Sequence, residues 1–216
     1  MQIHGIQGRN YDSNIYIITG KKSTIIDTGT GLNQDTVTKK IKEIIDPTSL
    51  HQIILTHEHY DHCGGLKNIY ELANENAVVI AHPHAAAKIE NGESMFASML
   101  GGTMPKMPID RRVSEADQII IGNDTFTVLH TPGHTPGCIC LHSEKEKVLF
   151  SGDTVFANGS FGRTDLPGGN HQELQQSIQR LATLDIMALF PGHEDWVEQN
   201  AHQHIKQSLQ NISSFG

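Results

Sequence analysis

The chain has 216 residues, of which 37% are hydrophobic and 19% charged, and its formal charge is −8. That apolar content supports a substantial core and excludes a disordered chain, and the length points to one domain spanning residues 1–216. A negative charge without a Lys/Arg run disfavours nucleic acid, MQIHGIQGRNYDSN lacks the basic and apolar build of an export signal, and no apolar run nears the roughly 20 residues of a membrane span, so a cytoplasmic protein is expected.

Asn14–Thr19 and Ser23–Asp27 are short apolar runs separated by a turn, which predicts a hairpin, and TGTG then turns the chain. Val37, Ile41, Ile44 and Ile45 recur at helical spacing, so a helix is expected over 34–45, with Pro47 stopping it. Gln52–Leu55 reads as a buried strand. A helix beginning near Cys63 to Leu66 is expected to run to Ala73, followed by a strand at Val78–Ala81 and a short helix from Pro83.

Residues 90–112 carry four methionines among glycines and prolines without clear periodicity, and read either as a lid over a site or as a loop covering a core edge. Beyond them, strands are expected at Gln118–Ile121, Thr125–His130, Cys138–His142 and Lys147–Phe150. A helix over Gln172–Leu181, a strand at Met187–Phe190 and a terminal helix near Val197–Leu209 complete the pattern. Cys63, Cys138 and Cys140 cannot all pair and read as small buried thiols, with Cys63 a possible neighbour of a site.

That site announces itself at THEHYDH. In an extended segment His57 and His59 project to the same side, so both imidazoles reach one point. Asp61 and His62 follow where the chain turns into a helix and address a second point. Further donors stand after apolar strands and in Gly/Pro turns: His134 in TPGHTPG, Asp153 in SGDT and His193 in PGHE. Five histidines and two aspartates suit zinc or iron, and a carboxylate such as Asp153 can bridge two ions.

THEHYDH, TPGHTPG, SGDTVF and PGHE, in that order and across nearly the whole chain, resemble the signature series of the metallo-β-lactamase superfamily, and especially its glyoxalase II-like (hydroxyacylglutathione hydrolase-like) branch. The resemblance implies an α/β fold, the αββα four-layer sandwich. It also implies that His57, His59 and His134 bind one divalent metal ion while Asp61, His62 and His193 bind another, with Asp153 bridging. Asp27, in IIDTG, matches a family position that supports the site from behind. Zn(II) is the expected metal, with Fe(II) or Mn(II) sharing such ligand sets.

Two such ions acidify a water to a pKa of roughly 7, so a bridging hydroxide is the expected nucleophile, with Asp61 and Asp153 as the catalytic carboxylates. A thioester of the S-hydroxyacyl-thiol type is the expected small-molecule substrate, because a thiolate leaving group of pKa about 8.5 needs no general acid. Glu58, between two donors, reads as a supporting group. Arg163, in GRTD, stands where glyoxalase II has a basic residue near the thiol moiety, and either grips a substrate carboxylate or pairs with Asp165. Full-length glyoxalase II carries a longer C-terminal helical segment than PGHE and one helix provide here, which puts glutathione in question. A mononuclear iron persulfide dioxygenase, with His57, His134 and Asp153 as ligands, is the alternative from another reaction class; lactone hydrolysis is a further one.

Overall fold

A computed structural model describes residues 1–94 and 96–214. The chain forms two compact units, one of residues 1–113 with 120–125, the other of residues 114–119 and 126 onward.

The first unit is built on a six-stranded sheet in simple chain order, β1 (Gln2–Ile6), β2 (Ile15–Thr19), β3 (Thr24–Ile26), β4 (Gln52–Ile54), β5 (Val78–Ala81) and β6 (Arg111–Arg112). The first three strands pair antiparallel, and β3 to β6 run parallel. All residues of β3 and β4 are buried, as the apolar run of a central parallel strand requires. Helix α1 (Gln34–Ile44) buries Val37 and Ile41 in the core, where a fully covered isoleucine contributes about 2 kcal/mol. The short α2 (Tyr60–Cys63) and α3 (Leu66–Leu72) follow β4. Helix α4 (Pro83–Asn91) opens on Pro83, whose missing N–H costs nothing in a first turn, and closes on left-handed Gly92.

A five-stranded sheet has the order β11 (Ala188–Pro191), β10 (Val148–Gly152), β9 (Ile139–Ser143), β8 (Asp124–His130), β7 (Gln118–Ile121), with β9 to β11 wholly in the second unit. Strands β10 and β11 pair parallel, which leaves their carboxyl ends side by side. Helix α5 (His171–Leu181) is capped by Asn170, whose side chain accepts the Glu173 N–H at 3.1 Å. It buries Leu174, Ile178 and Leu181 against Leu149, Leu189 and residues of α6 (Ala201–Ser214).

Three boundaries depart from the sequence reading. Strand β1 went unread because QIHGI buries only Ile6 and so shows no apolar alternation. The helix expected from near Cys63 to Leu66 up to Ala73 is α3, and the short α2 that Gly64 and Gly65 separate from it went unread. The last helix begins at Ala201, because Val197 instead exchanges two backbone hydrogen bonds with Leu189, at 2.7 and 2.8 Å. All three cysteines are buried, as expected of small core thiols.

The segment expected as lid or cover is tied down at several places among its described residues. Ser94 Oγ accepts the N–H groups of Phe96 and Ala97, both at 3.2 Å, and the Leu100 N–H reaches the Phe96 carbonyl at 3.0 Å. Ala97, Met104 and Ile109 are buried in the first core.

Candidate metal centre

The donors of the first unit follow β4. Its apolar strand carries the chain outward, Thr56 and His57 remain buried beyond it, and α2 begins at Tyr60. The His57 ring lies 4.0 Å from that of His62 and 4.9 Å from that of His59, between centroids. His62 Nε2 stands 3.7 Å from Asp61 Oδ2. Sequence reading placed these four residues together, and the structure brings them together.

Behind them Asp27 is almost fully buried, in a left-handed turn at φ 58°. Aspartate tolerates that conformation better than most residues. One oxygen accepts the Thr56 N–H at 2.8 Å; the other accepts the Thr56 hydroxyl at 2.8 Å and the His62 Nδ1–H at 2.8 Å. With its proton committed to Asp27, the Thr56 hydroxyl oxygen can accept from His57 Nδ1, 3.1 Å away. One carboxylate thus orients His62 directly and His57 through Thr56, and both rings keep the Nε2 lone pair for a cation.

A glycine pair and a threonine hold α2 in place. Thr28 donates from its N–H and its hydroxyl to the His62 carbonyl at 2.7 and 2.8 Å, and the Gly65 N–H reaches Gly29 O at 2.9 Å. A Cβ on Gly65 would strike the Thr28 carbonyl, and one on Gly64 the Thr30 carbonyl, so no other residue fits at either position. Cys63 donates its thiol to the His59 carbonyl at 3.0 Å, and burial, reinforced by Asp61, Asp27 and Glu58, pushes its pKa well up. It braces the turn as a neutral thiol. Glu58 is half-buried, and its carbonyl lies 3.4 Å from the same sulfur.

In the second unit His134 lies in the turn after β8, Asp153 just after β10 and His193 just after β11. Asp153 Oδ2 is 3.4 Å from His134 Nε2 and 3.6 Å from His193 Nε2. His134 donates Nδ1–H to the Arg163 carbonyl at 2.7 Å, so its Nε2 faces the carboxylate as a second acceptor. A cation fits between two acceptors at that separation. Bonds of about 2.1 Å meeting near the tetrahedral angle set ligand atoms about 3.4 Å apart, which the spacings in both units approach. The donor chemistry therefore fits divalent metal in each.

Gly162 is required where it stands, because a Cβ there would meet the Asp153 carbonyl and the His134 ring. Arg163 is exposed, and its guanidinium grips Asp165 with two bonds of 2.7 and 2.6 Å, which lowers the Asp165 carboxyl to about 2. Of its two expected roles, the structure contains the pairing with Asp165, and adds one the sequence did not suggest, the carbonyl that orients His134. Thr28, Thr56 and Gly162 were likewise missed. Phe156 stands edge-on to His193 at 6.0 Å, and Phe96 edge-on to His59 at 5.6 Å.

Imidazole and carboxylate donors on loops that follow strands, with Nδ1 of His57, His62 and His134 tied to protein acceptors, define a metal-binding α/β protein. Residues 8–193 match the metallo-beta-lactamase superfamily, and the chain belongs to it. It is 33% identical over 213 residues to a probable metallo-hydrolase of Methanocaldococcus jannaschii, covering 93% of this chain and 97% of the relative. It is 30% identical over 215 residues to the acyl-coenzyme A thioesterase MBLAC2 of Gallus gallus, covering 88% and 77% respectively. A hydroxyacylglutathione hydrolase of Hydrogenovibrio crunogenus is 32% identical over 146 residues, 67% of this chain and 45% of that one, so the match spans less than half of that relative. Among solved structures, the BLEG-1 B3 metallo-beta-lactamase superposes with a TM-score of 0.80 at 29% identity, covering 97% of both chains. TTHA1623 in a di-iron-bound form gives 0.74 at 28%, covering 96% of both. The fold, two sheets with helices, is the metallo-β-lactamase fold. None of the described helices is long and apolar enough to cross a membrane.

Proposed function

We propose that the chain is a binuclear metal-dependent hydrolase that cleaves thioesters. In this reading His57, His59 and His134 would hold one divalent ion, Asp61, His62 and His193 would hold the other, and Asp153 would serve both. The observation that carries this reading is the orientation of the imidazoles, with Nδ1 of His62 committed to Asp27 and Nδ1 of His134 to Arg163 O, each at 2.8 Å or less. Such fixed tautomers present Nε2 to a cation. The di-iron form of TTHA1623 supports a two-ion centre in this fold, and the acyl-coenzyme A thioesterase and hydroxyacylglutathione hydrolase relatives support thioester cleavage.

Bound divalent ions supply a water acidified from a pKa of about 16 to roughly 7 and a Lewis acid for the substrate carbonyl. The chain's own residues do the rest. Asp61 accepts a hydrogen bond from the attacking water and so aims it, and Asp27 holds His57 and His62 so that the centre does not reorganise during the reaction. The thiolate of the substrate, with a pKa near 8.5, leaves without a proton donor, consistent with a site that is rich in acceptors. Zn(II) is the metal this donor set suits best, with Fe(II) and Mn(II) as substitutes. Arg163, released from Asp165, would meet a substrate carboxylate.

The test is a panel of acyl thioesters, including S-lactoyl-glutathione and acyl-coenzyme A, offered to protein purified without added metal and then reconstituted. Chelator-sensitive release of free thiol is the expected result. Metal-replete protein that releases none from any member would overturn the proposal.

A further inference from the structure

One apolar segment outside the donor set stands against it. The Phe96 ring meets the His59 imidazole edge-on, at 83° and 5.6 Å between centroids. The residues that follow wind into a tight turn closed by Gly102 N–H to Ala97 O at 2.8 Å, which leaves Met99 74% exposed and Leu100 half-buried. The far end is fixed to the same helix α2, because Gly102 lies against the Tyr60 hydroxyl where a Cβ would not fit, and Met104 Sδ lies 3.6 Å from Cys63 Sγ. The turn that carries Met99 and Leu100 is therefore anchored at both ends, by Phe96 at His59 and by Gly102 and Met104 at Tyr60 and Cys63, the α2 residues that follow His59.

Met99 and Leu100 leave adaptable apolar surface uncovered on this anchored turn. Phe96 adds a second surface, only partly covered, directly at the donor residue.

We infer that Phe96, Met99 and Leu100 form the wall against which the substrate's acyl chain packs, so the site prefers thioesters of apolar acyl groups to those of small hydroxyacyl groups. The inference rests on the thioester reading and narrows its substrate class. An acyl group whose carbonyl is held near His59 extends its chain along this turn, and each methylene that leaves water there raises kcat/KM. Full burial of a methylene is worth about fourfold, so a one-sided wall gives roughly twofold per methylene.

The experiment uses metal-replete full-length protein and S-acyl-N-acetylcysteamine thioesters from acetyl to octanoyl, with the lactoyl thioester beside them. A parallel series measures the binding of the free alkanoates, acetate to octanoate, by calorimetry. Log kcat/KM and log affinity are expected to rise with chain length, and both slopes are expected to fall by at least half in Phe96→Ala and in Met99→Ser, with metal content unchanged in each. Flat slopes in the parent protein, or slopes unchanged in both variants, overturn the inference. If no thioester is cleaved but alkanoate affinity rises with chain length and loses that rise in the variants, the wall stands and the hydrolytic reading fails.

Discussion

Replacing Asp27 with asparagine exchanges one oxygen for an NH2 group and leaves the shape intact. The carboxylate receives three hydrogen bonds, from the Thr56 N–H, the Thr56 hydroxyl and His62 Nδ1, each at 2.8 Å. In one amide orientation the NH2 faces His62 and drives it to the tautomer with Nε2 protonated, which removes that ligand. In the other it faces the Thr56 N–H, and two buried donors oppose each other, which costs about 1–3 kcal/mol. Loss of the charge weakens the surviving bonds as well. A penalty of roughly 2 kcal/mol falls on the metal-bound state, so affinity for the ion held by His62 should drop about 30-fold, inside the 10–100-fold span for groups that support ligands. Chelator competition at pH 7.5 measures it, and circular dichroism checks the fold. Two ions bound with affinities within about twofold of the parent's would refute the role assigned to Asp27.

Asp153→Ala removes the carboxylate that stands between His134 and His193, so thioester hydrolysis should fall at least about a thousandfold with the fold retained; near-normal turnover would contradict its place in the centre. Gly65→Ala forces a Cβ onto the Thr28 carbonyl and should lower stability by at least about 2 kcal/mol, seen as a drop of several degrees in Tm; an unchanged Tm would show that α2 can shift freely. His142, buried in β9, has its pKa lowered from 6.5 by desolvation, opposed by Glu144. A depressed histidine means that the unfolded chain binds the proton more tightly, so this contribution is present above pH 6.5 and is lost as pH falls below it. Urea titrations at pH 7.5 and 5.5 should therefore show His142→Leu gaining on the parent at the lower pH, and a constant difference would exclude His142 as the source.

Sequence legibility followed the physics of each element. Strands β2 to β5 and helices α1 and α5 bury continuous or periodic apolar sets, and their positions were readable within a few residues. Strand β1 carries one buried residue, and the last helix hides Ala201, Ile205, Ser208 and Ile212 in a stripe that polar neighbours interrupt, so its end was read too early. The donors were legible because each stands beside a local signal, a strand end or a Gly/Pro turn. Of their supports, Asp27 was legible only through the family resemblance, and the contacts that the supports make were not. Asp27 meets Thr56 and His62 across 29 and 35 residues, and Arg163 O meets His134 across 29, distances at which no periodicity survives. The glycines of CGG and of GRTD carry no local signal of their role, whereas in the fold Gly65 and Gly162 are there because carbonyls and an imidazole occupy the space of a Cβ.

The central claim is a centre of two ions, and metal content per chain tests it most directly. Protein purified without added metal, loaded to saturation and freed of excess, is measured by inductively coupled plasma mass spectrometry. About two divalent ions per chain, falling to about one in Asp61→Ala or His193→Ala, is the predicted result. A single ion per chain at saturation, unchanged in those two variants, would contradict it.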